Sequence, residues 1–283
     1  MKLLILGGDD RLKYAAAKLV KYHDVYTYGL SAQDMIPDGK CDAAVLGLPA
    51  SRDGININAP LCDRAIPITS LASFVKPGGS VMGGLVGVPL QRYCGENFLL
   101  CEDYYRDEAV MLKNAVPSAE GALAAGINAT PVQMLGQNVL VLGFGRIASL
   151  LARYLIALRC NVTVAARSRE KRVQAQALGC RAVGFGSLCN ILPSVTLIYN
   201  TVPCAVLQER ELAAMSGDCV YIELASASGI DKDAPDKIRP KVISAQGLPS
   251  KVAPKTAGEI LADSVLDILN NYDEGGGSND NRT

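Results

Sequence analysis

The sequence is poor in the residues and runs that mark several classes of protein. Its 283 residues include no tryptophan, four phenylalanines and one histidine, His23. Lysine and arginine together number 28, as do aspartate and glutamate, so the formal net charge is zero. A balanced charge lacks the basic excess typical of binding to nucleic acid or to an anionic membrane surface. No apolar run has the length that a membrane-spanning helix needs. We therefore expect neither nucleic acid nor a membrane as a partner.

Metal-site and disulfide patterns are also missing. The nine cysteines are dispersed, with no Cys-x-x-Cys pair and no Cys/His spacing of the zinc type. We therefore predict no metal site. An odd, scattered set of thiols, in a chain that opens without a signal peptide, is typical of a reduced, cytoplasmic protein with mostly buried cysteines. With 49% hydrophobic residues, the chain is long enough for two domains with cores of their own.

The most informative stretch is residues 137–168, QNVLVLGFGRIASLLARYLIALRCNVTVAARS. An apolar strand at 138–142 is followed by Gly-Phe-Gly-Arg-Ile-Ala, which fits the G-x-G-x-x-G/A pattern of dinucleotide-binding sites. Apolar residues then recur at helical spacing, and a second apolar strand follows at 161–165. A lone glycine pattern would be weak evidence, but here both strands and the helix stand where the motif requires them. We assign cofactor contacts to Gly143, Gly145, Arg146 and Ile147.

The end of the second strand indicates which dinucleotide binds. An NAD site places Asp or Glu there to hold the ribose 2′-hydroxyl. This chain has Arg167 and Ser168 instead, and a guanidinium with a hydroxyl suits a 2′-phosphate. Arg169, Lys171 and Arg172 follow and are interpreted as the solvated start of a helix. We predict NADP as the cofactor, in preference to NAD.

Three further segments follow predicted strands and should lie at the same edge of the sheet. The motif Asn-Thr-Val-Pro follows a strand at 196–199, Leu-Ala-Ser ends a strand at 219–224, and GLPSKVAPKTAG, at 247–258, precedes the last helix. Two prolines and two lysines in the third segment predict a rigid, cationic loop. Ordinary turn chemistry is the alternative for each segment. The predicted cofactor contacts here are Thr201, Val202, Pro203, Ala225, Ser226, Gly247, Leu248 and Pro249.

The first half of the chain is also α/β, with predicted strands at 2–6, 25–28 and 42–46. Its Gly7-Gly8 pair lacks the rest of the dinucleotide pattern, so we expect no second nucleotide site there. Pro117 disfavours helix at Val116, and Ser118 is a good N-cap, so a helix crossing between domains is predicted at 118–130. The predicted domains are a substrate domain at 1–117, a nucleotide-binding domain at 118–256, a helix at 257–272 that packs back on the first domain, and a disordered tail at 273–283.

Several motifs, in this order, resemble those of the dipicolinate synthase A-subunit family of spore-forming bacteria. They are NAVPSAEGA, VLVLGFGRIA, VAARS, NTVP, ELAS and GLPSKVAPKTAGEI. The likeness is nearly continuous from residue 114 to residue 261 and thin between 29 and 107. The resemblance implies an N-terminal flavodoxin-like domain and a Rossmann domain with a doubly wound parallel sheet, linked by crossing helices as in D-hydroxyacid dehydrogenases.

The same resemblance implies an activity and a partner. The activity is NADP-dependent oxidation of a dihydrodipicolinate precursor to dipicolinate (pyridine-2,6-dicarboxylate) in the cytoplasm of the mother cell during sporulation. The partner is the B subunit of dipicolinate synthase, and a homo-oligomer is also possible. A small dicarboxylate needs cations and hydroxyls around it. The candidates for substrate binding are Arg11, Asp9, Ser118 and Lys251, and those for catalysis are Lys255, Glu120 and Ser118.

The catalytic base and the function each have alternatives that stay open. Glu120 could serve only to complement the dipole of its helix, and Asp9 and Lys255 are the alternative bases. The chain could also be another NADP oxidoreductase, similar to shikimate dehydrogenase, although we cannot place the Lys–Asp pair which that family requires. Finally, it could be a cofactor-bound subunit without catalysis of its own. His23 follows the first helix and is not expected to act as the acid/base of a hydroxyacid dehydrogenase.

Overall fold

Two parallel sheets organise the chain, and each opens with an apolar strand that leads into a glycine turn. The computed structural model describes residues 1–31, 34, 37–236 and 240–276. The chain divides into two units, Met1–Asn114 with Ala253–Thr283, and Ala115–Val252. We call them unit 1 and unit 2. None of the helices in the described part of the chain has the length and apolar character needed to cross a membrane.

The strands and helices are numbered in chain order. The strands are β1 (Lys2–Leu6), β2 (Asp24–Tyr28), β3 (Cys41–Val45), β4 (Val75–Gly83), β5 (Leu100–Asp103), β6 (Asn138–Leu142), β7 (Asn161–Ala165), β8 (Arg181–Val183), β9 (Leu197–Asn200), β10 (Val220–Glu223) and β11 (Lys241–Ser244). The helices are α1 (Asp10–Leu19), α2 (Leu71–Phe74), α3 (Val88–Glu96), α4 (Glu108–Ala129), α5 (Arg146–Ala157), α6 (Arg169–Ala177), α7 (Glu209–Ala213), α8 (Leu248–Val252) and α9 (Pro254–Gly276).

The sheet of unit 1 has the strand order β2-β1-β3-β4-β5, and all its pairs are parallel. β1 lies between β2 and β3, and its residues from Leu3 to Leu6 are completely buried, as a strand covered on both faces requires. Leu4 pairs with Tyr26 of β2 and Ala44 of β3. This order is that of flavodoxin-like folds, so the expected fold class of the first domain is confirmed.

The sheet of unit 2 has the strand order β11-β10-β9-β6-β7-β8, again all parallel. Counted within the unit, this is the doubly wound Rossmann order, with the first strand, β6, at the centre. The chain crosses from β8 on one side of β6 to β9 on the other, so the switch point lies between β6 and β9. A ligand is therefore expected outside the carboxyl ends of these two strands.

The helix predicted to begin at Ser118 begins ten residues earlier, so that prediction is wrong. α4 is continuous from Glu108 to Ala129 with Pro117 in its interior. Val110 and Ala115 before the proline, and Ala119 after it, are all buried. Proline in a helix interior costs about 3 kcal/mol, because it removes a hydrogen bond and its ring clashes with the preceding turn, but packing on both sides of Pro117 outweighs this cost. The division between the two units also falls inside α4, between Asn114 and Ala115.

The predicted cationic loop at 247–258 is mostly helical. α8 covers Leu248 to Val252, and α9 begins at Pro254, where proline suits the first turn because its missing N–H would have no partner. In unit 1, α9 packs on α1 so closely that a Cβ on Gly258 would collide with the Arg11 carbonyl, and Lys18 pairs with Asp263 at 2.5 Å. α9 ends at Gly276 and so includes the first four residues of the tail predicted at 273–283; residues 277–283 lie outside the described residues.

Candidate nucleotide-binding site

The turn after β6 requires glycine at its first position. Gly143 has φ of +90°, a backbone conformation that other residues rarely adopt. A Cβ at this position would lie 2.5 Å from Thr201 Oγ1 and 3.0 Å from Val202 Cγ2. The Gly143 N–H donates to the Ala165 carbonyl at 2.8 Å. The turn is therefore held between the ends of β7 and β9.

The second glycine of the motif lies beside open space. Gly145 directly precedes α5 and has no side chain to cap it, and a Cβ built on Gly145 would have no heavy atom within 4 Å. Ala148 is completely buried, so the helix lies close to the sheet. The first-turn N–H groups of a helix favour an anion, and a Cβ-free surface lets a phosphate approach the backbone. The residues at this turn thus fit the pyrophosphate of a dinucleotide.

The end of β7 offers an exposed guanidinium. Arg167 and Ser168 are exposed, and the Ser168 hydroxyl accepts from the Lys171 N–H at 3.2 Å, which caps α6. Its own proton remains available to an incoming acceptor. The prediction that Arg172 is solvated is wrong, since its guanidinium donates to the carbonyls of Ala166 (2.8 Å) and Arg167 (2.7 Å). Arg172 therefore fixes the backbone of the turn that carries Arg167.

The Asn-Thr-Val-Pro turn after β9 is tied to β6. The Thr201 hydroxyl donates to the Leu142 carbonyl at 2.7 Å, and the Thr201 N–H donates to the same oxygen at 3.0 Å. Thr201 and Val202 are half-buried, and Pro203 is exposed. The hydroxyl of Thr201 therefore holds the turn in place, and the exposed edge of the turn is formed by the residues that follow it.

Two buried residues that the sequence analysis did not select organise the same edge. Asn200 closes β9 and Glu223 closes β10, and their exposed fractions are 0% and 6%. Asn200 Nδ2 donates to Glu223 Oε1 at 2.8 Å, and Tyr221 OH donates to Oε2 at 3.1 Å. Burial, together with the nearby Glu223 carboxylate, raises the pKa of Tyr221, which keeps the phenol protonated as a donor. The sequence feature that could have identified Asn200 and Glu223 is the polar residue that ends each apolar strand, Asn in LIYN and Glu in VYIE.

The last predicted cofactor contacts differ in exposure. Ala225 is buried, and its carbonyl accepts from Gln246 Nε2 at 2.7 Å, while Ser226 is exposed. Gly247 has φ of +66° and leads into α8. Leu248 and Pro249 are buried, and a Cβ on Gly121 of α4 would lie 2.9 Å from Leu248 Cβ. The side chains of Leu248 and Pro249 therefore belong to the packing of α8.

All the predicted cofactor residues follow the carboxyl ends of β6, β7, β9, β10 or β11. Because these strands are parallel neighbours, the fold brings the five segments to one edge of the sheet. The candidate catalytic and substrate-binding residues of unit 2 lie elsewhere in sequence, on α4 and α8. Ser118 is buried in the interior of α4 instead of capping it, whereas Glu120 on α4 and Lys251 on α8 are exposed.

In unit 1, Asp9 and Arg11 are bound to each other. Arg11 Nε and Nη2 donate to the two carboxylate oxygens of Asp9, both at 2.8 Å, and Nη2 also donates to the Leu48 carbonyl at 2.6 Å. Asp9 caps α1 by accepting from the Arg11 N–H, and Arg11 is only 7% exposed. Both side chains thus have a structural role at the start of α1. Lys255, the second residue of α9, is exposed.

Comparison with known proteins agrees with this geometry. Residues 116–237 match the NAD-binding domain family of D-isomer specific 2-hydroxyacid dehydrogenases. The chain is 26% identical to the A subunit of dipicolinate synthase from Bacillus subtilis (strain 168), covering 95% of this chain and 96% of that protein. The crystal structure of the corresponding A subunit from Bacillus halodurans superposes with a TM-score of 0.85 at 26% identity, covering 95% of this chain and 97% of the other.

The fold extends to more distant oxidoreductases. D-lactate dehydrogenase of Escherichia coli is 14% identical and superposes with a TM-score of 0.66 over 97% of this chain and 98% of its own, a likeness of fold alone. The resemblance stated from the sequence motifs is confirmed by these comparisons. The chain is an NAD(P)-dependent oxidoreductase with a domain that binds a nicotinamide cofactor.

Proposed function

We propose that this NAD(P)-dependent oxidoreductase is the A subunit of a dipicolinate synthase and uses NADP to oxidise a dihydrodipicolinate precursor to dipicolinate. The observation that carries the proposal is the open turn at Gly145, which precedes α5 and shares its sheet edge with Arg167. The similarity to the A subunit of dipicolinate synthase over nearly the whole of both chains supports the choice of substrate. By the same similarity we propose that its partner is a B subunit and that it acts in the mother cell during sporulation.

The preference for NADP rests on charge at the end of β7. The turn carries the exposed Arg167 and Ser168, and no carboxylate stands at the position where an NAD site has one. The 2′-phosphate would gain charge-assisted hydrogen bonds from Arg167, in a turn that Arg172 holds through two backbone carbonyls. The pyrophosphate would be held by Gly143, Gly145 and the first turn of α5, which includes Arg146 and Ile147. The nicotinamide half would be held by the segments at Thr201–Pro203 and at Ala225, Ser226 and Gly247.

A bound nicotinamide supplies a hydride acceptor. Oxidation of a dihydro ring to an aromatic one releases a hydride and a proton, so the protein must also accept a proton. The exposed Lys255 and Glu120 are the proposed proton acceptors. Asp9 is the weaker choice, because its carboxylate caps α1 and is paired with Arg11. Lys251, Ser118 and Arg11, which Asp9 orients, are proposed to hold the two carboxylates of the substrate, with unit 1 as the substrate domain and unit 2 as the nucleotide domain.

The proposal is tested by binding first and turnover second. Calorimetric titration with NADP⁺ and with NAD⁺ should give heat for both and a tighter complex with NADP⁺. The dihydrodipicolinate precursor and NADP⁺ should then produce NADPH absorbance, measured with and without a B subunit. Absence of heat with either nucleotide contradicts the proposal. Binding of NADP⁺ without turnover, even with the B subunit, would instead indicate a cofactor-bound subunit without catalysis.

A further inference from the structure

A buried carboxylate joins two of the loops at the proposed nucleotide site. Glu223 Oε1 accepts from Asn200 Nδ2 (2.8 Å) and from the Ala225 N–H (3.1 Å), while Oε2 accepts from Tyr221 OH (3.1 Å) and from the Gly229 N–H (2.8 Å). We infer that Glu223 is a positioning residue for the nicotinamide half of the cofactor site. This inference rests on the proposed function and assigns Glu223 no contact with the cofactor.

Only a carboxylate satisfies the four partners of Glu223. All four are donors, two for each oxygen, and a carboxylate is an acceptor at both oxygens. A glutamine of the same shape would replace one oxygen with an NH₂ group. That group would face either the Ala225 N–H or the Gly229 N–H, and a backbone N–H cannot reverse its role as a donor. The position therefore requires Glu, although the residue is 6% exposed and a buried carboxylate is costly without such partners.

The first loop is held through Asn200. Asn200 Nδ2 donates to the Val202 carbonyl at 3.0 Å as well as to Glu223, and Asn200 Oδ1 accepts from the Val202 N–H at 3.0 Å. Glu223 thereby fixes the side-chain amide of Asn200, and that amide fixes both backbone groups of Val202. The position of the loop that carries Thr201 and Pro203 depends on this chain of hydrogen bonds.

The second loop is held directly. The N–H groups of Ala225 and Gly229 both donate to Glu223, so the carboxylate closes the loop that carries Ser226. Gly229 approaches so closely that a Cβ there would collide with Asn200 Nδ2 and with Tyr221 OH. The two loops therefore meet around one carboxylate.

The position of Glu223 and its donors in the sheet predicts which half of the cofactor they affect. β9 and β10 lie on one side of β6, whereas β7, which leads to Arg167, lies on the other. A dinucleotide across this edge places its adenosine on the β7 side and its nicotinamide on the β9 side. Loss of the Glu223 carboxylate should therefore weaken binding of the nicotinamide half and leave the adenosine half unchanged. A general loss of stability would affect both halves alike.

The experiment compares Glu223→Gln with Glu211→Gln in the full chain. Glu211 is an equally buried carboxylate of unit 2, on α7, which accepts from Arg210 and from the Gln208 N–H. The probes are NADP⁺ and adenosine 2′,5′-bisphosphate, a fragment without the nicotinamide half. We expect Glu223→Gln to weaken NADP⁺ binding about tenfold or more and to change the fragment affinity less than about twofold. Glu211→Gln should leave both affinities unchanged.

Hydrogen exchange gives a readout independent of nucleotide. In Glu223→Gln, the amides of Val202, Ala225 and Gly229 should exchange faster than in the wild type, and in Glu211→Gln they should not. Should Glu223→Gln fold poorly, Tyr221→Phe removes a single donor and should give a smaller change in the same direction.

The outcomes separate the two proposals. Equal NADP⁺ affinity in the wild type and Glu223→Gln, or parallel losses for NADP⁺ and for the fragment, would overturn the inference and leave the proposed function standing. A wild-type protein that binds neither NADP⁺ nor NAD⁺ would overturn both.

Discussion

β1 in unit 1 and β6 in unit 2 are each followed by a glycine turn and a helix, but the space beside the two turns is filled differently. Gly7 and Gly8 have φ of +65° and +92°, and a Cβ on Gly7 would lie 2.9 Å from Ala59 Cβ. The Gly8 N–H donates to the Asn58 carbonyl at 2.7 Å. In unit 2, by contrast, a Cβ on Gly145 would meet no heavy atom within 4 Å.

The helices that follow these turns differ in the same way. The first turn of α1 already has a carboxylate beside it, since Asp9 caps this turn and pairs with Arg11. α5 follows Gly145 and has no side-chain cap. A glycine turn after a parallel strand is thus required by the backbone in both units. Only the turn of unit 2 combines an open surface with a helix start that lacks a carboxylate, which is what an anionic ligand needs.

The largest expected effect comes from giving α5 the carboxylate that α1 has. Asp is a good N-cap, and Gly145 has an extended backbone that Asp adopts easily, so Gly145→Asp should fold normally. Its charge would stand beside a bound pyrophosphate, and like-charge repulsion at a separation of about 4 Å reaches about 4 kcal/mol at an effective dielectric of about 20. We expect NADP⁺ affinity, measured by calorimetry, to fall about 1,000-fold.

A glycine-to-aspartate substitution in the turn of unit 1 should have the opposite profile. Gly8→Asp places a Cβ 2.6 Å from Leu12 Cδ1 at a φ of +92°, so we expect a stability loss of about 1–3 kcal/mol with NADP⁺ affinity unchanged. Gly145→Asn, an uncharged cap of the same size, isolates the contribution of charge. A normal NADP⁺ affinity in Gly145→Asp would show that this turn does not hold the pyrophosphate.

A second difference between the units concerns turnover. Lys255 of unit 1 is exposed near the start of α9 and is a proposed proton acceptor. We expect Lys255→Met to lower kcat about 100-fold, as loss of an acid/base group does, with the dissociation constant for NADP⁺ nearly unchanged. Lys13→Met, on α1, is the control for loss of an exposed lysine. Equal losses of turnover and of NADP⁺ affinity would assign Lys255 to the cofactor.

A smaller effect is expected at the end of β7, where the exposed Arg167 is proposed to bind the 2′-phosphate. Arg167→Asp should reduce the preference for NADP⁺ over NAD⁺ by about tenfold or more, since charge-assisted hydrogen bonds are worth about 1.5–3 kcal/mol. Arg159→Asp makes the same charge change just before β7, at the amino edge of the sheet. If Arg167→Asp keeps the wild-type preference for NADP⁺, as Arg159→Asp should, then Arg167 does not bind the 2′-phosphate.

The sequence predicted the parts of this comparison that depend on local pattern. An apolar strand, a turn of fixed spacing and a periodic helix identify β6 and α5, because each of these patterns corresponds to one local structure. The strand orders could be anticipated from the alternation of strands and helices and from the resemblance. The need for glycine at position 143 also follows from the motif, and the structure adds its cause, the contact with Thr201.

Features that depend on distant partners could not be predicted. Pro117 is a local signal for a helix boundary, but the burial of Ala115 and Ala119 keeps α4 continuous. Glu223 gains its role from donors on three separate segments, at Asn200, at Tyr221 and Ala225, and at Gly229. Likewise, nothing in the spacing of Gly7 and Gly8 shows that residues 58 and 59 occupy the space beside them.

The smallest expected effect concerns a hydrogen bond within unit 1. It tests whether the stability of unit 1 affects the nucleotide site. Tyr272 of α9 donates to Glu102 Oε1 at 2.6 Å, and burial with this bond raises the pKa of Tyr272 to about 12. In the unfolded chain the phenol has a pKa of about 10, so the folded state holds the proton more strongly. The resulting stabilisation is complete below about pH 10 and is lost as the pH rises towards 12.

Tyr272→Phe should therefore lower the free energy of unfolding by about 1 kcal/mol at neutral pH, because the hydrogen bond is lost. It should also remove part of the fall in stability between about pH 10 and 12. Denaturant unfolding at several pH values measures both effects. Tyr22→Phe, at a position 62% exposed, is the control and should change neither. Because Tyr272 and Glu102 both lie in unit 1, NADP⁺ affinity at neutral pH should be the same in all three proteins. A loss of affinity in Tyr272→Phe would show that the nucleotide site depends on unit 1, and the two glycine turns could then no longer be treated as independent.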